Sequence, residues 1–317
     1  MKRYTFNILV FLLFAACNVH SQDFKNEFGF KSENDSYLAQ GSDRYYTNGI
    51  FINFRRAVDQ MKLKAGLEKK IYEISVGQKI YNPISGYAPN PATQDRPFAG
   101  YLYVGGSLSW FKLDESVLKV STEIGTVGPS SLAKDGQELL HNTVGFYELA
   151  GWENQIRDEA AINLSVQYTK LIHRLVDNAA DISFEGYANA GTTYSGAGAG
   201  ILLRAGSINQ LFNSSYLNAS LGNNVKTKGL VPSEIFFYAK PQLNFIAYDA
   251  TVEGSIFKNN SPVTFDAKPI VFAQQIGFNY SSQHFTVDFG VIFKTKEIES
   301  SARAHQWGAI SMYYRFN

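Results

Sequence analysis

The strongest candidate for chemistry in this 317-residue chain is a histidine with polar neighbours at helical spacing. Gln137 precedes His141 by four residues and Glu148 follows it by seven, so the three side chains share one face if residues 134–149 form a helix. A neutral imidazole takes a proton from water near pH 7, and a carboxylate beside it orients the ring or holds a metal ion. The pattern favours a hydrolytic site, although a single surface histidine is more often only solvated.

A second polar group lies nearer the start of the chain. Asn34 and Asp35 belong to the polar run 33–36, and Thr47 belongs to the run 43–49. Carboxylate, amide and hydroxyl oxygens are the ligands that a hard cation such as calcium prefers. The alternative interpretation is that both runs only form turns, which is the commonest role of such residues.

The elements that must position these residues are strands, because period-two alternation of apolar and polar side chains dominates the chain after residue 22. In 285–293, for example, one face carries only Phe and Val, and the other carries Thr286, Asp288 and Gly290. We predict twelve strands, with the helix in the outer loop 127–159. The predicted strands are 24–34, 45–56, 68–80, 99–112, 116–126, 160–172, 181–191, 197–206, 233–248, 267–280, 284–294 and 304–316.

Three features favour a membrane barrel over a soluble sandwich, in which strands also alternate. The runs are about ten residues or longer, which is the length a tilted strand needs to cross a bilayer. Aromatic residues cluster at run ends, as at 45–46 and 313–316, and only 18% of residues are charged. The predicted fold is all-β: a twelve-stranded antiparallel transmembrane β-barrel with a short helix in an outer loop and both termini in the periplasm. In this scheme the connection 207–232 is unusually long for a periplasmic turn.

Residues 1–21 are predicted to be a signal peptide, which leaves 22–317 as the outer-membrane barrel domain. Lys2 and Arg3 precede an apolar run, and small residues precede the expected cut before Gln22. Lipoprotein processing at Cys17 is the alternative, but Phe14 fits the first lipobox position poorly. We therefore expect a protein of the bacterial outer membrane.

The composition excludes several other classes of protein. The chain has 29 Lys and Arg against 28 Asp and Glu, a net charge of +1, with no basic runs. This balance argues against a nucleic-acid partner. The single cysteine excludes a disulfide framework and a cysteine-rich zinc module.

Seven short motifs are spread over the expected mature chain. They are Glu33-Asn34-Asp35-Ser36, Asp43-Arg44-Tyr45-Tyr46-Thr47-Asn48-Gly49, Val76-Gly77-Gln78, Asp95-Arg96-Pro97-Phe98-Ala99-Gly100-Tyr101, Gly128-Pro129-Ser130, Gln137-x3-His141 and Gly151-Trp152-Glu153-Asn154-Gln155. In order and spacing this set resembles the outer-membrane lipid A 3′-O-deacylase family. The set is fairly specific, although each motif alone is weak.

The resemblance implies a twelve-stranded barrel whose active site lies between the outer-loop helix and the barrel wall. It also implies calcium-dependent removal of the 3′-linked acyloxyacyl group of lipid A, with His141 as the base that activates water. The family has a Glu shortly after this histidine, and Glu148 is our candidate, although Tyr147 occupies the strictly spaced position. The residues that match the family's other functional polar positions are Asn34, Asp35, Thr47 and Gln137.

The predicted function is therefore lipid A 3′-O-deacylation without a covalent intermediate. We expect calcium, held by Asn34, Asp35 and Glu148, to stabilise the oxyanion, and Gln137 and Thr47 to position water or substrate. The expected partner is lipid A or lipopolysaccharide, the site is expected to face the extracellular side, and the chain is expected to be a monomer. The alternatives are an outer-membrane phospholipase and a non-catalytic barrel, either a pore or a structural protein. Candidates for basic contacts to the substrate are Arg44, Lys79 and Arg96.

Overall fold

The structure is a computed structural model of the 317-residue chain, and it describes residues 24–39, 43–224, 226–257 and 260–317. The predicted signal peptide, its cut before Gln22 and the alternative processing site at Cys17 lie outside the described residues. Within the described part of the chain, no helix has the length and apolar character needed to cross a membrane.

Twelve antiparallel strands form one closed barrel, in which each strand pairs with its neighbours in sequence and the first pairs with the last. The predicted fold is confirmed, and the predicted strand ends differ from the observed ends by at most three residues. The strands are β1 (Asn26–Asn34), β2 (Tyr45–Ala57), β3 (Leu67–Asn82), β4 (Ala99–Lys112), β5 (Ser116–Val127), β6 (Glu159–Arg174), β7 (Ala180–Gly191), β8 (Tyr194–Ser207), β9 (Glu234–Asp249), β10 (Ile270–Ser281), β11 (Phe285–Lys294) and β12 (His305–Phe316).

The alternating pattern of the sequence separates the two faces of the wall. On β1, Phe28 and Phe30 are exposed, whereas Glu27 is buried. On β2, Ile50 and Ile52 are exposed and Arg55 is buried, where it donates a hydrogen bond to Glu27. Apolar side chains therefore cover the outer face and polar side chains pair inside the lumen, as a barrel in lipid requires.

The outer-loop helix, α1 (Ala133–Val144), is shorter than the predicted range 134–149. It ends at Gly145, which has a φ of 75° and reverses the chain, a conformation that favours glycine. Glu148 lies beyond this reversal and is exposed. The prediction that Glu148 shares a helix face with His141 is therefore wrong. A second, four-residue helix, α2 (Ala250–Glu253), follows β9.

The long connection between β8 and β9 folds into the end of the barrel where β1 begins and β12 ends. Its apolar residues Leu211, Phe212 and Leu221 are buried against a set of side chains from the barrel wall. Those wall residues are Ala57, Ile71, Phe111 and Val117. The length of this connection is thus explained, because a simple turn would not fill the lumen.

Arg204 fixes this plug, residues 208–233, to the barrel wall. Its guanidinium is buried and donates to both carboxylate oxygens of Asp181, at 3.0 and 2.6 Å. It also donates to the Ser214 hydroxyl at 2.6 Å and to the Asn209 carbonyl at 3.0 Å. Arg174 also contacts the Asp181 carboxylate, at 3.0 Å, so the buried carboxylate is shared by two arginines. Removing one of them leaves the buried charge only partly compensated.

We expect Arg204→Leu to lower the free energy of unfolding by about 2–4 kcal/mol, because Asp181 then keeps only Arg174 as a charged partner and the plug loses its hydrogen bonds to the guanidinium. Urea titration in detergent micelles, followed by tryptophan fluorescence, measures the change. Arg157→Leu is the control, since Arg157 is exposed in an outer loop and its replacement should change stability by less than about 0.5 kcal/mol. Equal stability of the two variants would contradict the anchoring role of Arg204.

Candidate active site on the outer wall of the barrel

Helix α1 lies against the outer face of β3 and β4, at the rim opposite the start of β1 and the end of β12. Val76 and Val104 are exposed on this face, but nearer the rim Ile80 is buried beneath the loop that carries the helix. At Gly100 a Cβ would lie 2.0 Å from the Ser131 hydroxyl oxygen. The absence of a side chain at Gly100 therefore lets the helix approach the wall, and the space between them lies outside the lumen.

Asp43 lies at the centre of this space and contacts the buried face of the helix. Its Oδ2 is 3.3 Å from Nε2 of His141. The Gln137 amide nitrogen donates to both carboxylate oxygens, at 3.2 and 3.3 Å, and the Gln137 oxygen accepts from the indole nitrogen of Trp152 at 3.0 Å. Because Gln137 is held at both ends of its amide, its orientation is fixed. Asp43 begins the motif 43–49 but is not among the site residues predicted from the sequence.

The barrel supplies the remaining contacts of Asp43. The Asn82 amide donates to Oδ1 at 3.0 Å, and the Thr47 hydroxyl donates to the same oxygen. Thr47 lies where the pairing of β2 with β3 shifts register. Such a bulge changes the direction in which the side chain points. The Thr47 oxygen is also 3.3 Å from Oδ1 of Asp35. Two carboxylates therefore lie around one hydroxyl, which has only one proton to donate.

Asn34 and Asp35 form the turn that follows β1. The side-chain oxygen of Asn34 accepts from the Ser36 backbone N–H at 2.7 Å, and its amide nitrogen donates to Asn48. Asp35 is buried and accepts from the Arg44 backbone N–H at 3.0 Å. Asn34 thus shapes the turn, and Asp35 points into the polar space.

His141 is oriented by the backbone that follows the helix. Its Nδ1 lies 2.9 Å from the Tyr147 carbonyl oxygen, which only accepts hydrogen bonds. Nδ1 therefore carries a proton, and Nε2 faces Asp43. The Tyr147 hydroxyl donates to Asp43. Burial, followed by that hydrogen bond and the charge of Asp43, raises the pKa of the Tyr147 hydroxyl, so this group keeps its proton.

The donor set of the space suits a hard cation better than a soft one. Asp35, Asp43 and Thr47 present oxygen atoms, and His141 is the one nitrogen donor among these four residues. Among the described residues, no three His, Cys, Asp or Glu side chains are already arranged as a ligand group. Glu148, a predicted ligand, is exposed beyond the helix end.

The three basic candidates lie in different environments. The Lys79 ammonium lies over the rings of Tyr101 and Tyr194, at 5.7 and 5.0 Å from their centroids, on the inner face of β3. The Arg96 guanidinium is buried and donates to the Thr251 hydroxyl at 2.8 Å. Of the three, only Arg44 adjoins the space between helix and wall, through its backbone contact with Asp35.

The fold and site define a twelve-stranded outer-membrane barrel with a polar space between an outer-loop helix and the lipid-facing wall. Residues 7–316 match the family described as "Outer membrane protein LpxR". The chain belongs to this family, which is the lipid A 3′-O-deacylase family that the motifs resemble. Membership supports a lipid A deacylase-type function in the bacterial outer membrane.

Solved structures show the same fold. LpxR from Salmonella typhimurium is 16% identical with a TM-score of 0.73, over 92% of this chain and 100% of that chain. The β domain of the Bordetella autotransporter Brka is 10% identical with a TM-score of 0.53, over 93% of this chain and 100% of that chain. No curated protein matches the sequence significantly. The similarity to these solved structures shows the barrel fold, whereas the family match spans residues 7–316 of the sequence.

We expect Gly100→Val to detach the outer-loop helix from the wall, because the new side chain would occupy the space of Ser131 and Ala133. Limited trypsin digestion should then cut at Lys134 at least about tenfold faster, since local opening controls cleavage. The matched control is Gly106→Val on the same strand, where a Cβ would meet no atom closer than 3.9 Å. Unchanged protection in Gly100→Val would contradict the close docking of the helix.

Proposed function

We propose that this protein is a lipid A 3′-O-deacylase that hydrolyses the 3′-linked acyloxyacyl ester with water activated by His141. The supporting observation is the fixed geometry of His141, whose Nδ1 is held by a carbonyl while Nε2 lies 3.3 Å from Asp43. This pair lies on the outer face of the wall, at the level where lipid headgroups and their ester bonds meet a barrel. The family match supplies the substrate class.

In the proposed reaction the water oxygen attacks the acyl carbonyl carbon while its proton passes to Nε2 of His141. The negative charge of Asp43 stabilises the imidazolium that forms. The imidazolium then returns the proton to the sugar oxygen as the ester C–O bond breaks. The products are an acyloxy fatty acid and a free 3′ hydroxyl, and no enzyme atom becomes covalently attached. Gln137 and Thr47 keep Asp43 in place, since both donate to its carboxylate.

We further propose that calcium binds at this site through Asp35, with oxygens from Asp43 and Thr47. A bound divalent cation supplies Lewis-acid stabilisation of the acyl oxygen as it becomes negative. Asn34 contributes indirectly, because its side-chain oxygen holds the turn that carries Asp35. Asp43 replaces Glu148 in this scheme, since Glu148 lies outside the space.

The proposal extends to the orientation of the barrel in the outer membrane and to the oligomeric state of the protein. The start of β1 and the end of β12 lie at the rim opposite the site, and bacterial barrels keep this rim in the periplasm. The site then faces the extracellular side. One chain supplies each named site residue, so we propose an active monomer.

Two alternative functions remain to be compared with this proposal: a phospholipase, which differs in its substrate, and a pore, which is not an enzyme. A phospholipase would use the same histidine on glycerolipid esters, and the family match favours lipid A over that reading. A pore is disfavoured by the plug, which packs apolar residues inside the terminal end of the lumen.

We expect His141→Ala to slow 3′ deacylation of lipid A by about a thousandfold, the typical contribution of a general base. Mass spectrometry of lipid A from cells that express each variant measures the lost acyloxyacyl mass. His173→Ala is the matched control, because His173 is exposed on β6, far from the site. Equal activity of His141→Ala and wild type would exclude His141 as the base.

The same cells test the substrate. Loss of a 3′ acyloxyacyl mass from lipid A with intact phospholipids is the expected result. Lysophospholipids with unchanged lipid A would identify the phospholipase instead, and no change in either lipid would support the non-catalytic barrel.

Removal of divalent cations should abolish activity reversibly. We expect EDTA to lower the rate of deacylation in detergent micelles to background and added calcium to restore it, because Asp35, Asp43 and Thr47 would then hold no cation to supply Lewis-acid stabilisation. Asp35→Asn should need a higher calcium concentration for half-maximal rate. Full activity in EDTA would remove the cation from the mechanism.

A further inference from the structure

We propose that Tyr147 is a positioning residue that holds His141 and Asp43 against each other. Its backbone carbonyl accepts from Nδ1 of His141, and its side-chain hydroxyl donates to Oδ2 of Asp43. One residue thus contacts both members of the pair. The activity test of this proposal rests on the proposed function, whereas the test by chemical modification of His141 does not.

The chain reversal after α1 produces the first contact. Gly145 adopts a left-handed conformation, and the backbone N–H groups of Gly145 and Phe146 both donate to the His141 carbonyl, each at 2.9 Å. The reversal brings Tyr147 back beside the last turn of the helix. Its ring then meets the imidazole edge to face, with centroids 5.0 Å apart and planes at 81°.

The hydroxyl makes the second contact, and its direction is fixed. The hydroxyl oxygen accepts from the Gly86 backbone N–H at 3.1 Å, a group that only donates. Its own proton therefore goes to the Asp43 carboxylate, which only accepts. At Gly86 a Cβ would lie 2.8 Å from this oxygen, so the loop approaches closely only because that residue is glycine. Three segments distant in sequence meet at one hydroxyl.

Asp43 depends on this hydroxyl for the position of Oδ2. Oδ1 has donors in Thr47 and Asn82, whereas Oδ2 accepts from Gln137 and Tyr147 and lies 3.3 Å from Nε2 of His141. Loss of the hydroxyl leaves Oδ2 with the long contacts of 3.3 Å to Gln137 and His141. The carboxylate would then turn more freely, and the imidazolium formed during the reaction would be stabilised less well.

The main test is Tyr147→Phe, which keeps the ring and the carbonyl but removes the hydroxyl. We expect kcat for lipid A deacylation to fall about tenfold or more, with KM changed less than about twofold, since the hydroxyl acts on the His141–Asp43 pair rather than on substrate. Trypsin protection at Lys134 and the urea midpoint should match wild type. Unchanged kcat would overturn the proposal, and so would lost trypsin protection, which would show a purely structural role.

Two controls separate the hydroxyl from its surroundings. Tyr187→Phe removes a hydroxyl that donates to Asn244 inside the lumen, and it should leave kcat unchanged. Phe146→Leu removes the other ring that packs on His141, at 5.4 Å, without removing a polar contact. Full kcat in Tyr147→Phe together with a loss of kcat in Phe146→Leu would assign the orientation of His141 to ring packing and overturn the role of the hydroxyl.

Chemical modification of His141 tests the contact without an activity assay. Diethylpyrocarbonate acylates unprotonated imidazole nitrogen, and peptide mass spectrometry measures its rate at His141. We expect a faster rate in Tyr147→Phe than in wild type, because a looser Asp43 covers Nε2 less well. An unchanged rate would overturn the proposal even if the wild type proved inactive on lipid A, whereas an inactive wild type with a faster variant rate would count only against the proposed function.

Discussion

Every backbone group in the wall needs a hydrogen-bond partner, because lipid offers none, and the pairing of β1 with β12 satisfies the last of them. This closure determines where functional groups lie. Irregular backbone is confined to the rims and the lumen, so the turn at Asn34 and the segment after α1 are at the outer rim. The site is built from loop residues, and the strands set the distances between them.

A polar site on a lipid-facing wall is stable only where something covers it. Gly100 and Ala133 let α1 approach the strands closely, and the helix then sets Gln137 and His141 against Asp43, beside the buried Asp35 and Thr47. Burial of these groups would be costly without partners. The hydrogen bonds that converge on Asp43 offset that cost, and they hold the site in one arrangement while the rest of this face contacts lipid.

Strand positions followed from the sequence because alternation is a local signal, and β2 and β6 were located within a few residues. The site, the end of the helix and the plug depend instead on contacts between residues that are distant in the sequence. Asp43 and His141 are 98 residues apart, and only the folded rim brings them together. The helix was predicted too long because Tyr147 continues the apolar spacing of Leu140 and Val144 past Gly145, where the chain in fact reverses. The plug was noticed as an unusually long turn, but its packing requires the inward-facing Ile71 and Phe111.

The reversal at Gly145 also explains why a tyrosine suits position 147. This side chain points at Asp43, which already accepts from Thr47, Asn82 and Gln137. A carboxylate at position 147 would set two like charges together with no proton between them, which raises the free energy of both. A phenol reaches the same point as a neutral donor. The acidic residue of this segment, Glu148, is displaced by one position into solvent, where its charge is hydrated and does not oppose Asp43.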